Sequence, residues 1–260
     1  MQNIQKIDFH IPELNSMKTY PQDLYYIGNL DLLNKKKIGI IGSRHPNQYS
    51  HNITYQIANQ LSQADITIIS GGAIGIDTIA HKASGTDNTI MISGTGLDIQ
   101  YPSINKKLIT EIEQKGLVLS QFAPNTPSLP RNFAIRNELI VALSDILIVP
   151  YADLKSGSMR SIEYAIKMNK EIYVLPHRIG ESDGTNKLLE ENKATAIYNI
   201  DDFISKFSSS NYFDTEKDDF LEFCKANPTY EEAVIKYGDK VFEYELLGKI
   251  IIKNGKIQSI

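Results

Sequence analysis

Short apolar runs alternate with longer segments of helical periodicity along most of the chain. Runs rich in β-branched residues occupy 38–41, 66–69, 89–92 and 146–149. Between them apolar residues recur every three or four positions, as in 48–61. Runs without polar alternation are typical of strands buried on both faces, and helices connect such strands in parallel sheets. The pattern therefore predicts an α/β fold with a doubly wound, mostly parallel sheet.

The same alternation continues to about residue 207. Further strands are predicted at 117–119 and 172–175, and further helices at 105–114, 133–143 and 156–168. Residues 1–34 hold only short apolar groups and are predicted to be an N-terminal extension packed against the sheet. We therefore expect one large domain over 1–207.

A polar break predicts a linker at 208–218, followed by a small domain at 219–260. Three helical patterns precede two apolar runs that flank Asn254-Gly255, which is a strong hairpin signal. Three helices and a hairpin predict a winged-helix-like domain. Residues 211–260 contain seven lysines against ten acidic residues, which favours a protein-contact module over a reader of duplex grooves.

Composition narrows the functional classes. The net charge of −4 excludes a uniformly basic coat, so nucleic-acid binding would need a local patch. The single cysteine, Cys224, excludes a disulfide framework and fits a reducing cytoplasm. No run approaches the roughly 18 apolar residues of a membrane span, and the polar N-terminus is unlike a signal peptide. The five histidines lack metal-ligand spacing, and nothing indicates a cofactor.

The first glycine turn contains Gly42, Ser43 and Arg44 directly after the strand at 38–41. Ligands of open α/β sheets bind at the carboxyl ends of the strands, where anions face the N-terminus of the following helix. Arginine at that place can bind a phosphate through two parallel hydrogen bonds. The turn therefore predicts an anion site.

Two later loops have the same character. Ser70, Gly71 and Gly72 follow the strand at 66–69, and their amides could form a phosphate nest or merely permit tight packing. The second loop opens a helix, where a helix cap is the alternative to anion binding. Its residues are Lys155, Ser156, Gly157 and Ser158.

An aromatic and cationic group lies at the start of the helix at 133–143. Phe133 could stack on a base, while Arg136 and Asn137 could bind backbone or base edges. Phe133 alone would more often be a core residue. No nucleophile has an evident base, so the sequence does not indicate an enzyme.

Taken in order, these motifs resemble the DprA family (also called Smf), DNA-processing proteins of bacterial transformation. The resemblance covers about residues 20–207. The matching motifs are Tyr-x-Gly at 26–28, Ile-Gly-Ser-Arg at 41–44, Ser-Gly-x-Ala-x-Gly-Ile-Asp at 70–77, Gly-Leu-Asp-x-x-Tyr-Pro at 96–102, Phe-x-x-Arg-Asn at 133–137 and Ser-Gly-Ser at 156–158.

The resemblance implies an extended Rossmann-like fold that binds single-stranded DNA, forms a homodimer and helps load the RecA recombinase. It also implies DNA contacts by Arg44, Phe133, Arg136, Asn137, Lys155, Ser156, Gly157 and Ser158. The chain departs from the family pattern at Glu138, where a second arginine is usual, and at Gln121, where glutamate is usual.

Two other functions remain open from the sequence. A nucleoside-monophosphate phosphoribohydrolase of the lysine-decarboxylase-like (LOG) family has a related fold and a glycine-rich motif followed by glutamate. Glu163 lies at a comparable spacing from Ser156, but Met159-Arg160 replaces the Gly-Thr of that motif. The other alternative is a nucleotide sensor, which should bind mononucleotides about as well as oligonucleotides.

Overall fold

The chain is described by a computed structural model over residues 4–208, 219–224, 226–238, 240–246, 248–253 and 255–259. These residues form two compact units, within Met1–Ser209 and Ser210–Ile260. The predicted linker lies outside the described residues from 209 to 218. The division into domains 1–207 and 219–260 therefore stays a prediction.

The larger unit is built on one sheet of nine strands. In chain order they are β1 (Gln5–Lys6), β2 (Tyr25–Gly28), β3 (Lys37–Ile40), β4 (Thr67–Ser70), β5 (Thr89–Ile92), β6 (Leu117–Ser120), β7 (Ile146–Val149), β8 (Ile172–Val174) and β9 (Thr195–Ala196). Their order in the sheet is β1-β2-β6-β5-β4-β3-β7-β8-β9. The strands from β6 to β9 are parallel, whereas β1 and β2 are antiparallel additions at one edge. The predicted fold class is confirmed.

Helices connect the parallel strands and cover both faces of the sheet. They are α1 (Gln48–Gln63), α2 (Ile76–Ala83), α3 (Lys106–Lys115), α4 (Pro130–Leu143), α5 (Gly157–Lys167), α6 (Asp183–Glu190) and α7 (Ile200–Ser205). In β5, Ile90 and Ile92 pack in the cluster that contains α4, whereas Met91 packs in the cluster that contains α3. Because alternate strand residues point to opposite faces, α3 and α4 lie on opposite sides.

The structure adds elements that the sequence pattern did not predict. The apolar group at 24–27 forms β2, which pairs with β6 and so belongs to the sheet rather than lying on it. Helix α4 begins at Pro130, three residues before the predicted start at 133, because proline fits the first position of a helix. The region after β8, for which no element was predicted, contains α6, β9 and α7.

A buried lysine anchors the N-terminal extension. Lys37 is 4% exposed. Its ammonium donates to the Glu13 carboxylate at 3.0 Å and to the carbonyls of Leu33 and Lys35 at 2.7 and 3.0 Å. All three donors of the ammonium are thereby used, as a buried charge requires.

The smaller unit contains three helices and a hairpin. They are α8 (Asp219–Cys224), α9 (Tyr230–Tyr237), α10 (Lys240–Leu246), β10 (Ile250–Lys253) and β11 (Lys256–Ser259). β10 and β11 pair antiparallel, which confirms the predicted hairpin, although Asn254 lies outside the described residues. Phe220, Cys224 and Val241 belong to its small core. The winged-helix interpretation stays a prediction.

Candidate functional site

A cleft of about 650 Å³ opens where the parallel strands end at their carboxyl side. It is lined by residues that follow β3, β4 and β5 and by the N-terminal halves of α4 and α5. A smaller cavity of about 90 Å³ adjoins it and shares Arg44, Tyr101 and Phe133. The side chains and backbone lining the cleft include Gly42, Ser43, Arg44, Asp77, Tyr101, Phe133, Arg136, Asn137, Ser156, Gly157, Ser158, Arg160 and Ser161.

Two glycines allow the loops after β3 and β4 to pack against each other. A Cβ on Gly42 would lie 2.7 Å from Ile76 Cγ1 and 2.9 Å from the Tyr151 carbonyl oxygen. Gly75 has a φ of +82°, and a Cβ there would collide with the Arg44 backbone. The Ser43 carbonyl also accepts from the Ile76 amide at 3.1 Å. Close packing of the loops fixes the backbone of Arg44 at the mouth of the cleft.

Arg44 and Arg160 supply exposed positive charge to the cleft. Both side chains are exposed and line it, one from the loop after β3 and one from α5. Neither forms an ion pair with an acidic side chain among the described residues. Their charge is therefore available to an anion. The sequence pattern predicted an anion contact for Arg44 but not for Arg160. Arg160 reaches the cleft because it lies on the face of α5 that is turned toward it.

The glycine loop after β4 differs from the predicted phosphate nest. The amides of Gly71 and Ala73 donate to the Asp77 carboxylate at 3.2 and 3.3 Å, so the chain's own carboxylate occupies the place of an external anion. Ser70 and Gly72 are buried, and the Ser70 hydroxyl donates to the Ile40 carbonyl. The loop supports the cleft from within the protein.

Arg136 also lies inside the protein, in contrast to the predicted contact surface. It is 5% exposed, and its Nη1 donates to the carbonyls of Gly71 and Ile92. Burial lowers the pKa of Arg136 to about 10, with the Asp77 carboxylate opposing that shift, so the group stays charged at neutral pH. Burial in turn raises the pKa of Asp77, against the attraction of Arg136. Asp77 and Arg136 thus form a buried pair of opposite charges, and the bonds of Arg136 to Gly71 and Ile92 connect the ends of β4 and β5.

His81 lies next to this pair and is fully buried on α2. Its Nδ1 is 2.7 Å from the Thr89 hydroxyl. Because that hydroxyl donates its one proton to the Ile68 carbonyl, Nδ1 must be the donor to it. Nε2 then has no partner among the described residues. Burial, and secondarily the charge of Arg136, lowers the pKa of His81 to about 3.

This histidine predicts a loss of stability in mild acid. As the pH decreases below the ordinary histidine pKa of 6.5, the unfolded chain takes up a proton that the folded protein does not. The free energy of unfolding therefore decreases as the pH decreases. Between pH 7 and pH 5 we expect this group to lower the free energy of unfolding by about 2 kcal/mol. Urea unfolding at pH 7 and pH 5 measures the loss. Over the same pH range, the free energy of unfolding of a His81→Leu variant should decrease by about 2 kcal/mol less than that of the unsubstituted protein. An equal decrease in both proteins would contradict the role given to His81.

Phe133 forms an aromatic pair with Tyr101. Their ring centroids are 5.3 Å apart and the rings are tilted by 41°. Phe133 is half-buried against Gly94, where a Cβ would lie 2.6 Å from its ring, while Tyr101 is 41% exposed. Tyr101 lies in the sequence motif at 96–102 but was not among the predicted DNA contacts. Its position after β5, at the same sheet edge as the glycine turns, was the available signal that it could face a ligand.

The N-terminus of α5 faces the cleft. Ser156 precedes the helix without a side-chain capping bond, and the amides of Gly157 and Ser158 bond to no other described residue. The hydroxyls of Ser156 and Ser161 are buried without partners in the described part of the chain. Free amides, the positive end of the helix dipole and unpaired hydroxyls together form an anion site.

The remaining predicted positions are Asn137, which lines the cleft, and Lys155. Asn137 Nδ2 is 3.5 Å from the Gly157 carbonyl and so connects α4 to α5. Lys155 is exposed beside the cleft and does not line it. Glu138, which departs from the family pattern, accepts from the Lys18 amide at 2.7 Å. Its carboxylate is therefore held by the N-terminal extension, away from the residues that line the cleft.

The described residues contain no group of three or more His, Cys, Asp or Glu side chains that could hold a metal ion. They also contain no helix that is both long and apolar enough to cross a membrane.

Comparison with known proteins gives consistent matches. The family model for DNA recombination-mediator protein A matches residues 4–208. The DNA processing protein DprA of Streptococcus pneumoniae is 35% identical over 199 residues, which are 75% of this chain and 70% of that protein. Protein Smf of Escherichia coli is 33% identical over 71% of this chain, but the match covers only 50% of its own length.

Solved structures show the same similarity. A structure of DNA processing protein A from Helicobacter pylori, described for its single-stranded DNA binding mode, has a TM-score of 0.77 and 41% identity. It covers 79% of this chain and 97% of its own. The X-ray structure of DprA from Streptococcus pneumoniae has a TM-score of 0.73 and 33% identity, and the match covers 80% of this chain and 75% of that chain. The chain thus belongs to the DNA recombination-mediator protein A family, also known as DprA or Smf.

Proposed function

We propose that the cleft binds single-stranded DNA and that the protein acts in natural transformation. The observation that carries this proposal is the combination, in one cleft, of unpaired arginines, free helix amides and a half-buried aromatic pair. Arginines and amides suit the phosphates of any sequence, and aromatic rings suit unpaired bases. The Helicobacter pylori relative, described for binding single-stranded DNA, supports it.

The residues divide into contacts and supports. We assign DNA contacts to Arg44, Arg160, Tyr101 and Phe133, and to the amides of Gly157 and Ser158. Ser70, Gly71, Gly72 and Arg136 are buried and hold the loops in place. Gly42, Ser43, Asn137, Lys155 and Ser156 lie on or beside the cleft, where they can contact a bound strand. This assignment includes no catalytic residue.

The form of the cleft favours single strands over duplexes. The bases of a duplex are stacked on one another, so the tilted Tyr101–Phe133 pair can receive a base only if it is unstacked. Because the net charge of the whole chain is −4, binding depends on the local positive groups and not on the surface as a whole. We therefore expect affinity to fall steeply with salt and to vary little with sequence.

Fluorescence anisotropy with a labelled twelve-nucleotide oligo(dT) tests the proposal. Unlabelled oligo(dA), the matched duplex and dTMP serve as competitors at several salt concentrations. The single strands should compete well and the duplex and dTMP weakly. Equal competition by dTMP would support the nucleotide sensor instead. Absence of binding at low salt would reject the proposed function.

The hydrolase alternative depends on Glu163. Glu163 is exposed on α5 and does not line the cleft, whereas Arg160 and Ser161 of the same helix do. Since a carboxylate must reach the sugar to act on it, the geometry favours DNA binding. Release of adenine from AMP by the purified protein, lost in Glu163→Ala, would reverse this preference.

The cellular role follows from the same proposal. We propose that the protein acts in the cytoplasm as a homodimer, protects incoming DNA and helps load the RecA recombinase. The acidic C-terminal unit is proposed to contact protein rather than DNA. Faster assembly of RecA on single-stranded DNA in the presence of the protein is the expected result, and no change in assembly rate would reject the loading role.

A further inference from the structure

A second aromatic cluster lies beside the cleft, at the carboxyl ends of β7 and β8. The ring of His177 packs edge-on against Tyr49 and Tyr151, with centroid distances of 5.6 and 5.2 Å. Tyr49 belongs to the first turn of α1 and is 46% exposed. None of the three residues lines the cleft described above. The cluster thus offers aromatic surface that the proposed site does not use.

The loop that contains His177 is held rigidly by one side chain. Asn186 Nδ2 donates to the carbonyls of His177, Arg178 and Glu181, and Asn186 Oδ1 accepts from the His177 amide. The His177 ring bonds through Nε2 to the Pro150 carbonyl at 2.8 Å. A loop fixed in this way loses little entropy when a ligand binds.

The same loop presents groups that suit a nucleic acid. Ile179 is fully exposed, and the exposed Arg178 precedes it. Because the Pro150 carbonyl can only accept a hydrogen bond, Nε2 of His177 is the donor. Nδ1 of His177 is buried and has no partner among the described residues. An arginine beside an aromatic surface is the pairing that single-strand binding proteins use for backbone and bases.

The cluster is continuous with the cleft. The Tyr151 carbonyl accepts from the Ser43 amide at 2.8 Å, and β7 pairs directly with β3. In the sheet order β5-β4-β3-β7-β8, the Tyr101–Phe133 pair lies at the β5 side and the His177 cluster at the β8 side. Four strand spacings of about 4.8 Å separate the two sides by roughly 19 Å. At about 3.4 Å per nucleotide this corresponds to some six nucleotides, and to fewer in an extended strand.

We propose that Tyr49, Tyr151 and His177 form a second stacking platform for the same strand of DNA. The strand would cross the sheet edge from the Tyr101–Phe133 pair, past Arg44 and the N-terminus of α5, to this platform. The inference rests on the proposed function and adds to it the path of the bound strand across the sheet edge and the minimum length of that strand. Oligonucleotides shorter than the span reach only one platform.

Anisotropy with oligo(dT) of three and twelve nucleotides tests the platform in the full-length protein. Tyr49→Ala should weaken binding of the twelve-nucleotide strand about tenfold and leave the three-nucleotide strand unchanged, because loss of one stacked base has about this effect. Tyr55→Ala is the matched control, since Tyr55 is 49% exposed on the same helix outside the cluster. It should bind both strands as the unsubstituted protein does.

A tryptophan reporter gives a second readout. The chain contains no tryptophan, so the tryptophan fluorescence of a Tyr49→Trp variant, excited selectively over tyrosine, arises at the platform alone. Stacking of a base should quench it with the twelve-nucleotide strand and not with the three-nucleotide strand. This measurement stays informative if the alanine variant is unstable.

The outcomes separate the two proposals. If the unsubstituted protein binds neither strand, the proposed function fails. If it binds and Tyr49→Ala changes neither affinity, or changes both equally, the second platform is rejected while the proposed function stands. A length-dependent loss together with length-dependent quenching supports the platform.

Discussion

Replacing Arg136 by methionine is expected to destabilise the protein by about 3–5 kcal/mol. The substitution removes the donor to the carbonyls of Gly71 and Ile92 and leaves the buried Asp77 carboxylate without its neighbouring positive charge. Removing one partner of a buried charged pair costs this much because the other remains desolvated. Urea unfolding of the full chain near pH 7 measures the effect.

A second substitution isolates the electrostatic part of this cost. In the double variant Arg136→Met/Asp77→Asn no buried carboxylate is left uncompensated, so its loss of stability should be smaller than the sum of the two single losses. Arg131→Met, an exposed arginine in the first turn of the same helix, should change stability by less than about 0.5 kcal/mol. If Arg136→Met were as stable as Arg131→Met, the proposed support of the cleft would be wrong.

Replacing both Arg44 and Arg160 by glutamine is expected to weaken single-stranded DNA binding about 25-fold at 0.1 M salt. Each phosphate contact to a single strand contributes about 0.7 to the slope of log affinity against log salt. Two lost contacts therefore reduce the slope by about 1.4, and the curves of the variant and the unsubstituted protein should converge near 1 M. All sequences should be affected alike, because phosphates carry no base identity.

The matched control removes the same charge elsewhere. Lys82 and Lys115 are exposed in the last turns of α2 and α3, which lead to the opposite edge of the sheet. Lys82→Gln/Lys115→Gln should retain the salt slope of the unsubstituted protein. An equal loss of affinity in both double variants would mean that overall charge, not the cleft, determines binding.

The sequence was sufficient to predict the framework of the sheet. The central strands β3, β4, β5 and β7 are fully buried, and such strands leave uninterrupted apolar runs that a pattern can detect. Strand β2, next to the edge strand β1, is only partly buried, and its pairing with β6 is set by contacts distant in sequence. Its apolar group therefore indicated packing but not participation in the sheet.

The site was predictable in its residues but not in their roles. Arg44 and Arg136 are both arginines in family motifs, yet one is exposed at the cleft and the other is buried. The difference arises because Asp77 and the carbonyl of Gly71 draw Arg136 inward, and neither contact is local in sequence. Likewise, only the fold shows that the Asp77 carboxylate already occupies the amides of Gly71 and Ala73.

Ultraviolet cross-linking of oligo(dT) to the full chain, followed by mass spectrometry of the peptides, tests the central claim most directly. The bases of a strand in the cleft would lie against Tyr101 and Phe133, so the cross-linked peptides should contain these residues. Phe133→Ala should remove its own cross-link. Cross-links confined to peptides from residues 219–260 would contradict the assignment of DNA binding to the cleft.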